Sequence, residues 1–218
     1  MIRAMFATLL LAGLTGCTGL GTLKQASQPN DLYLLTPKST FSSSLPRVSK
    51  QIVVQEPTAT AAVDTDQIAV QPTPLQVQYL PRARWVDRAP LIVQALLVES
   101  FENSNRVAAV GRSTVGLRAD YVIVPDLREF QGIVVGETQD SKTVKIDVRI
   151  NIKIIDEFED KIIASNSFQR DVIAASDQTP DLVAAFDQAL GSTMRNAVEW
   201  SIRKIHAHAA SNPRPSLN

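Results

Sequence analysis

The one cysteine of this 218-residue sequence is Cys17, and its position near the N-terminus gives its thiol a specific chemistry. A thiolate is a nucleophile, and a lone cysteine in an exported protein either pairs with another chain or is modified. Cys17 follows Leu14-Thr15-Gly16, which ends an uncharged apolar run that begins at Ala4. We therefore predict that the Cys17 sulfur is alkylated and carries a lipid.

The segment before Cys17 has the parts of a bacterial secretory signal. Arg3 supplies a basic start, and the apolar run is too short to cross a bilayer as a helix, which takes about 20 residues. Leu14 at position −3, small residues at −2 and −1 and Cys17 at +1 match a lipobox, the cleavage site of a lipoprotein precursor. We expect residues 1–16 to be a signal peptide, in preference to an ordinary signal with an incidental cysteine.

The residues after Cys17 predict where the protein is held. Thr18 occupies the position at which Asp favours retention in the inner membrane, so we expect an outer-membrane lipoprotein that faces the periplasm. Residues 17–30 are mostly polar, and we expect them to form a lipidated tether. At about 3.3–3.6 Å per residue, the part after the cysteine reaches at most about 45 Å.

Composition bounds the rest of the chain. Lys and Arg total 22, as do Asp and Glu, so no net charge favours nucleic acid. The sequence is 44% hydrophobic and 20% charged, which is typical of a globular domain. We expect one domain over residues 31–210 and a disordered, proline-containing tail over residues 211–218.

Hydrophobic periodicity predicts strands and helices in alternation. The predicted strands are residues 31–35, 51–55, 67–71, 75–79, 107–110, 121–130, 144–154 and 161–170, and the predicted helices are residues 87–103 and a segment that starts at Thr179-Pro180-Asp181. Pro72-Thr73-Pro74 should kink the chain between two strands, and Pro125 should interrupt another. The strand over residues 107–110 is of the buried type.

Residues 144–154 give the clearest pattern, because Val and Ile alternate there with charged or polar residues. Strict alternation predicts one packed face and one wet face. The acidic turn over residues 156–160 is then a solvated hairpin tip; a metal site is the less favoured interpretation, because no ligand-spacing motif is present. On the last helix, a stripe of apolar residues should cover the sheet: Val183, Phe186, Leu190, Met194, Ala197 and Ile205.

We find no pattern of residues that predicts catalysis. There is no Gly-x-Ser-x-Gly motif and no phosphate-binding loop, and the only histidines are His206 and His208. Two residues apart on a helix, they should point in different directions and end the helix in solvent. We predict no catalytic residues, no metal and no cofactor.

One cluster has the composition of a protein interface, since aromatic and arginine side chains are enriched in binding hot spots. It comprises Tyr79, Pro81, Arg82, Arg84, Trp85 and Arg88, in a predicted loop before the first helix. We expect Tyr79, Arg82, Arg84, Trp85 and Arg88 to bind a partner. The alternative is that Trp85 packs the helix onto the sheet while the arginines are merely solvated.

Several segments resemble a known family. They are Leu75-Gln76-Val77-Gln78-Tyr79, Arg84-Trp85, Ala89-Pro90-Leu91, Ala119-Asp120-Tyr121-Val122-Ile123 and Phe130. With the lipobox and the order of elements, they make the chain similar to the ABC-type transport auxiliary lipoproteins, which include the lipoprotein of the paraquat-inducible system.

The resemblance implies an α/β fold: a mixed β-sheet with flanking helices, similar to the N-terminal domain of the translocation protein TolB. It also implies partners, namely a mammalian-cell-entry-type protein and the permease and ATPase of an ABC transporter that moves lipids between the membranes. The family has no catalytic residues to carry over. The number of copies that assemble is left open.

Two other functions compete with lipid transport. One is a different envelope-assembly lipoprotein, such as a secretin pilot or a lipopolysaccharide-assembly partner, and the other is a tethered hydrolase. Neighbouring genes for a permease, an ATPase and a mammalian-cell-entry protein would favour transport. A broad hydrolase substrate screen would test the last alternative.

The lipobox generates the first testable prediction. Cys17→Ser removes the sulfur that is acylated, so we expect an unprocessed or soluble periplasmic protein that incorporates no palmitate. Fractionation of cells that lack the partner proteins is the measurement. Membrane recovery equal to that of the wild type would contradict the lipobox.

Overall fold

Two long antiparallel strands, β7 (Tyr121–Glu137) and β8 (Lys142–Asp156), run through the middle of the sheet. The computed structural model describes residues 29–113 and 118–213. Cys17, the predicted signal peptide, most of the tether and residues 214–218 of the predicted tail lie outside those residues.

Seven further strands and two helices complete the described part of the chain. In chain order they are β1 (Asp31–Tyr33), β2 (Val48–Val54), β3 (Thr58–Ala59), β4 (Gln67–Thr73), β5 (Gln76–Trp85), α1 (Ala89–Ser104), β6 (Val107–Arg112), β9 (Lys161–Ile173) and α2 (Thr179–Ser211). All the predicted strands form, most of them longer than predicted.

The sheet is mixed, as the resemblance implied. Its order is β1-β5-β4-β7-β2-β6, with β3 also paired to β7, β8 on the other side of β7, and β9 beyond β8. The β4–β5, β7–β8 and β8–β9 pairs are antiparallel, and the other pairs are parallel. Both helices and one face of the sheet share a single hydrophobic core. We call the opposite face, which the helices leave uncovered, the outer face.

The apolar side of β8 is buried as its alternation predicted. Its six Val and Ile side chains, from Val144 to Ile154, are at most 3% exposed. The prediction of a wet opposite side is wrong, because Asp147 and Asn151 are also buried. Strand β9 supplies partners for both side chains: Gln169 Nε2 donates to both Asp147 carboxylate oxygens at 2.9 and 3.0 Å, and Asn151 Nδ2 donates to a backbone carbonyl at 3.2 Å. Among the described residues, the buried Asn151 Oδ1 has no hydrogen-bond partner.

Two strand predictions need correction. β6 is half-exposed instead of buried, because it lies at an edge of the sheet. Pro125 does not interrupt β7, which continues to Glu137. β2 and β3 pair with the side of β7 that faces away from β8. The pairing with β2 ends at Ile123, and the pairing with β3 begins at Asp126. Pro125 lies in this gap, where a missing N–H breaks no bond to β2 or β3.

Both helices begin at or near the predicted residues: α1 starts at Ala89, two residues after the predicted start, and α2 starts at Thr179 as predicted. Pro90 lies in the first turn of α1, where backbone N–H groups have no helical partner. The predicted stripe of α2 is 0–9% exposed throughout. That helix continues through Ser211, so the predicted tail begins in helix. Within the described residues, no helix is both long and apolar enough to cross a membrane.

An aromatic cluster joins β5, β7 and α2 at the centre of the core. The ring of Trp85 lies 5.6 Å from that of Phe130 and 5.2 Å from that of Phe186, and the two phenyl rings are 5.1 Å apart. Such pairs are worth about 0.5–1.5 kcal/mol beyond their buried area. Trp85 is 2% exposed, and its contact with Phe186 packs β5 against α2.

Truncation of a β8 side chain tests the burial pattern. Ile150→Ala should lower the free energy of unfolding by about 2–5 kcal/mol, because Ile150 is fully buried and its removal leaves a cavity. Lys153→Ala, at an exposed position of the same strand, should change it by less than about 0.5 kcal/mol. Urea melts that gave equal losses would contradict the assignment of the two faces.

The neighbouring residues Arg84 and Trp85 offer a second test. Trp85→Ala should destabilise the fold by about 3–5 kcal/mol, since it empties the aromatic cluster. Arg84→Ala should cost about 1 kcal/mol or less, because it removes only a half-exposed ion pair. A Trp85→Ala protein that melts like the wild type would show that the cluster does not hold the core together.

Candidate interaction surfaces

The β4–β5 hairpin ends in an exposed arm, which we define as residues 73–79. Every residue of the arm is exposed, on both faces of the hairpin. Leu75 at the apex is 100% exposed, and Val77 and Tyr79 are 40% and 36% exposed. From Gln67 to Pro81 the sequence has no charged residue. The arm is therefore an uncharged projection that carries apolar side chains into solvent.

The prolines explain where the arm separates from the sheet. β4 pairs with β7 at Val70 and Gln71, and Pro72 follows directly. Proline cannot donate to a ladder, so β4 continues past this point with β5 as its paired neighbour. Pro74 then occupies the turn with Leu75. The predicted kink between two strands is thus the apex of a hairpin.

Most of the predicted partner-binding cluster, from Tyr79 to Trp85, lies on a strand and not in a loop, whereas Arg88 lies in the connection just before α1. β5 continues to Trp85 because a bulge accommodates Pro81: the register with β4 shifts between the Ala69–Tyr79 and Gln67–Arg84 pairs. Arg82, inside the bulge, has a φ of 57°. The extra residues of the bulge place Pro81 outside the paired positions of β4 and β5, so its missing N–H removes no hydrogen bond from the ladder.

The strand separates the cluster into two groups. Trp85 faces the core and is not part of the surface. Arg82 is exposed, and Tyr79 and Arg84 lie on the outer face, where they pair with Ala69 and Gln67 of β4. The Tyr79 hydroxyl donates to the Ala62 carbonyl at 3.4 Å.

The arginines of the cluster form ion pairs with three acids. Arg84 Nη1 donates to Asp66 Oδ1 at 2.9 Å, and Arg88 Nε donates to Asp64 Oδ1 at 2.8 Å. Arg88 Nη1 also lies 3.3 Å from a carboxylate oxygen of Glu56. The hydrogen bond to Asp64 raises the pKa of the Arg88 guanidinium further above its usual value. Side chains that are 33–46% exposed remain within reach of a partner.

A second exposed apolar patch lies at the β1 edge of the outer face. Leu32 and Leu34 are 64% and 71% exposed, and Val86 is 44% exposed. Leu32 pairs with Arg84, and the Val86 amide donates to the Tyr33 carbonyl at 3.2 Å. No pattern in the sequence predicted that this patch or Leu75 would form an interaction surface. The sequence did carry one signal for the arm, namely the uncharged run around two prolines.

The end of the sheet opposite the arm brings together a histidine and two acids. His208 Nδ1 shares a 3.0 Å hydrogen bond with the Tyr121 hydroxyl and lies 3.6 Å from Asp156 Oδ2. Ligand atoms of Asp156, Glu159 and His208 lie within 4.8 Å of one another, so these three could hold a cation.

These contacts correct two predictions. Asp156 is 2% exposed instead of solvated, and its Oδ1 accepts backbone N–H groups from Phe158 and Glu159. His208 is half-buried, whereas His206 is exposed as expected. Sequence spacing could not have indicated the contact between the end of α2 and the start of β7, because it arises only from tertiary packing.

Comparison with known proteins places the chain in a family. Residues 33–198 match the ABC-type transport auxiliary lipoprotein component family. The uncharacterized protein bll6063 of Bradyrhizobium diazoefficiens is 30% identical over 159 residues, which are 72% of this chain and 39% of that protein. The chain thus spans well under half of that relative's length.

Solved structures share the fold. Protein XCC0632 from Xanthomonas campestris is 28% identical with a TM-score of 0.77, over 83% of this chain and 99% of that one. The hypothetical protein CT253 from Chlamydia trachomatis is 10% identical with a TM-score of 0.50, over 73% and 99% of the two chains, and shows the fold alone. The mixed sheet with two helices and the match over most of its length agree: the chain belongs to the ABC-type transport auxiliary lipoprotein family.

Proposed function

We propose that this protein is a membrane-anchored docking component of a mammalian-cell-entry-type lipid transport system. The observation that carries the proposal is the family match over residues 33–198, because the family is defined by its auxiliary role in ABC-type transport. Lipidation of Cys17 would hold the protein on the periplasmic side of the outer membrane. Its partners would be the mammalian-cell-entry-type protein, the permease and the ATPase.

The surface around Arg84 and Arg88 supports a docking role. Both guanidinium groups are ion-paired within the chain, yet both are a third or more exposed. A guanidinium has five donors in a fixed fork, so it can keep one acid and still bind a partner's carboxylate or phosphate. Exposed ion pairs contribute little to folding, about 1 kcal/mol or less, so exchanging partners costs little.

Tyr79 and Arg82 extend this surface along β5. Tyr79 offers a flat ring on the outer face, and Arg82 is held in an exposed position by the bulge. Arginine and tyrosine are the side chains most often found at the energetic centre of interfaces. We define the docking surface as Tyr79, Arg82, Arg84 and Arg88; Trp85 supports it from the core.

A double variant tests the docking surface. Arg84→Ala with Arg88→Ala should weaken recovery of the mammalian-cell-entry-type partner in a pull-down, because a hot-spot residue is worth about 2 kcal/mol, or roughly 30-fold in affinity. Arg128→Ala is a matched control. Like Arg88, Arg128 is 44% exposed and pairs with an aspartate that is 36% exposed, but it lies on β7.

All three proteins should melt within a few degrees of one another, because only exposed pairs are removed. Full partner recovery by the folded double variant would eliminate this surface. An equal loss of partner recovery with Arg128→Ala would show that recovery depends on exposed positive charge in general and not on this docking surface.

A further inference from the structure

We propose that the arm inserts into the membrane that holds the tether, with Leu75 at its apex reaching the acyl chains and Tyr79 at its base among the headgroups. The proposal rests on the lipid anchor at Cys17, which keeps the domain close to a bilayer. This insertion would be a second membrane contact, made by the folded domain itself. The shape, the chemistry and the position of the arm each support it.

The chemistry of the arm suits a lipid interface. A charged side chain costs about 2.5–3.5 kcal/mol or more at the centre of a bilayer and so opposes insertion, and the run from Gln67 to Pro81 has none. Leu75 at the apex is fully exposed in water, so its burial among acyl chains is favourable. Tyr79 at the base of the arm has an apolar ring and a polar hydroxyl, the combination enriched at membrane–water interfaces.

The backbone of the arm also suits insertion. Unpaired N–H groups are costly in a bilayer because no water satisfies them. Pro72 and Pro74 have no N–H, and Thr73 pairs with Gln76 across the hairpin. The arm therefore presents few unpaired backbone N–H groups at its apex, where water is scarcest.

The described chain enters the sheet at the end from which the arm extends. β1 is parallel to β5, with Asp31 beside Ala83 and Tyr33 beside Trp85. The N-terminal end of β1 therefore points in the direction of Gln76, where β5 begins at the arm. A tether that reaches at most about 45 Å and starts at this end of the sheet would hold the arm close to the bilayer.

The patch of Leu32, Leu34 and Val86 is the competing contact. These side chains lie on the outer face of the sheet and do not project beyond it, so they would require the whole face to lie flat on the bilayer. The ion pair of Arg84 with Asp66 adjoins that patch and would be desolvated. The arm can insert without burying any ion pair.

Tryptophan fluorescence tests the proposal. Cys17 is the only cysteine, so the chain without residues 1–16 can be coupled through its thiol to a maleimide lipid in phosphatidylcholine vesicles. Leu75→Trp places a fluorophore at the exposed apex without disturbing the core. Brominated acyl chains should quench this added emission about twofold or more. The short flexible tether holds the arm at a roughly millimolar effective concentration relative to the vesicle surface, which favours insertion.

Phe158→Trp is the matched control, since Phe158 is 74% exposed in the β8–β9 turn at the opposite end of the sheet. We expect no quenching of its added emission, and the unsubstituted coupled chain corrects for Trp85 and Trp200. Quenching of Leu75→Trp should be the same at low and high salt, because the arm has no charge. A third variant, Leu32→Trp, reports on the competing patch.

Three outcomes would overturn the proposal: no quenching of Leu75→Trp, equal quenching of Phe158→Trp, or quenching of Leu32→Trp in place of Leu75→Trp. The coupling chemistry does not depend on acylation in the cell or on any protein partner. Failure here would therefore leave the lipidation of Cys17 and the docking surface standing, and palmitate labelling and the pull-down test those separately.

Discussion

The antiparallel pairing of β7 with β8 is the interaction on which the rest of the fold depends. Its register extends from Tyr121 opposite Asp156 to Glu137 opposite Lys142. This pair turns the apolar side of β8 towards the helices and gives β2, β3 and β4 a common edge on β7. Because the period of a strand is two, a slip of one residue would expose the buried Ile and Val side chains and bury Lys153.

Patterns that depend on neighbours along the chain could be predicted from the sequence. The apolar face of β8 and the buried stripe of α2 follow from local periodicity, and the start of α2 at Thr179 follows from the proline in its first turn. The wet side of β8 could not be predicted, because the burial of Asp147 depends on Gln169 of the next strand. Whether a polar side chain is solvated depends on which strands flank it.

The candidate surfaces show the same limit. Composition alone singled out the segment from Tyr79 to Arg88, but it placed these residues in a loop. The bulge around Arg82 lets β5 continue, and alternation then turns Trp85 inward while Arg84 faces outward. One short segment thus serves both the core and the surface. The contact of His208 with Tyr121 spans 87 positions of sequence and has no local signal.

The parallel pairing of β1 with β5 has a mechanical consequence. β1 joins the sheet through three residue pairs, and the tether continues from its N-terminal end. Tension along the strand axis loads the hydrogen bonds of β1 in shear, so that they must fail together, whereas tension across the axis would open them one at a time. A pull on Asp31 along the axis of β1 should therefore meet more resistance from this short strand than a pull across it.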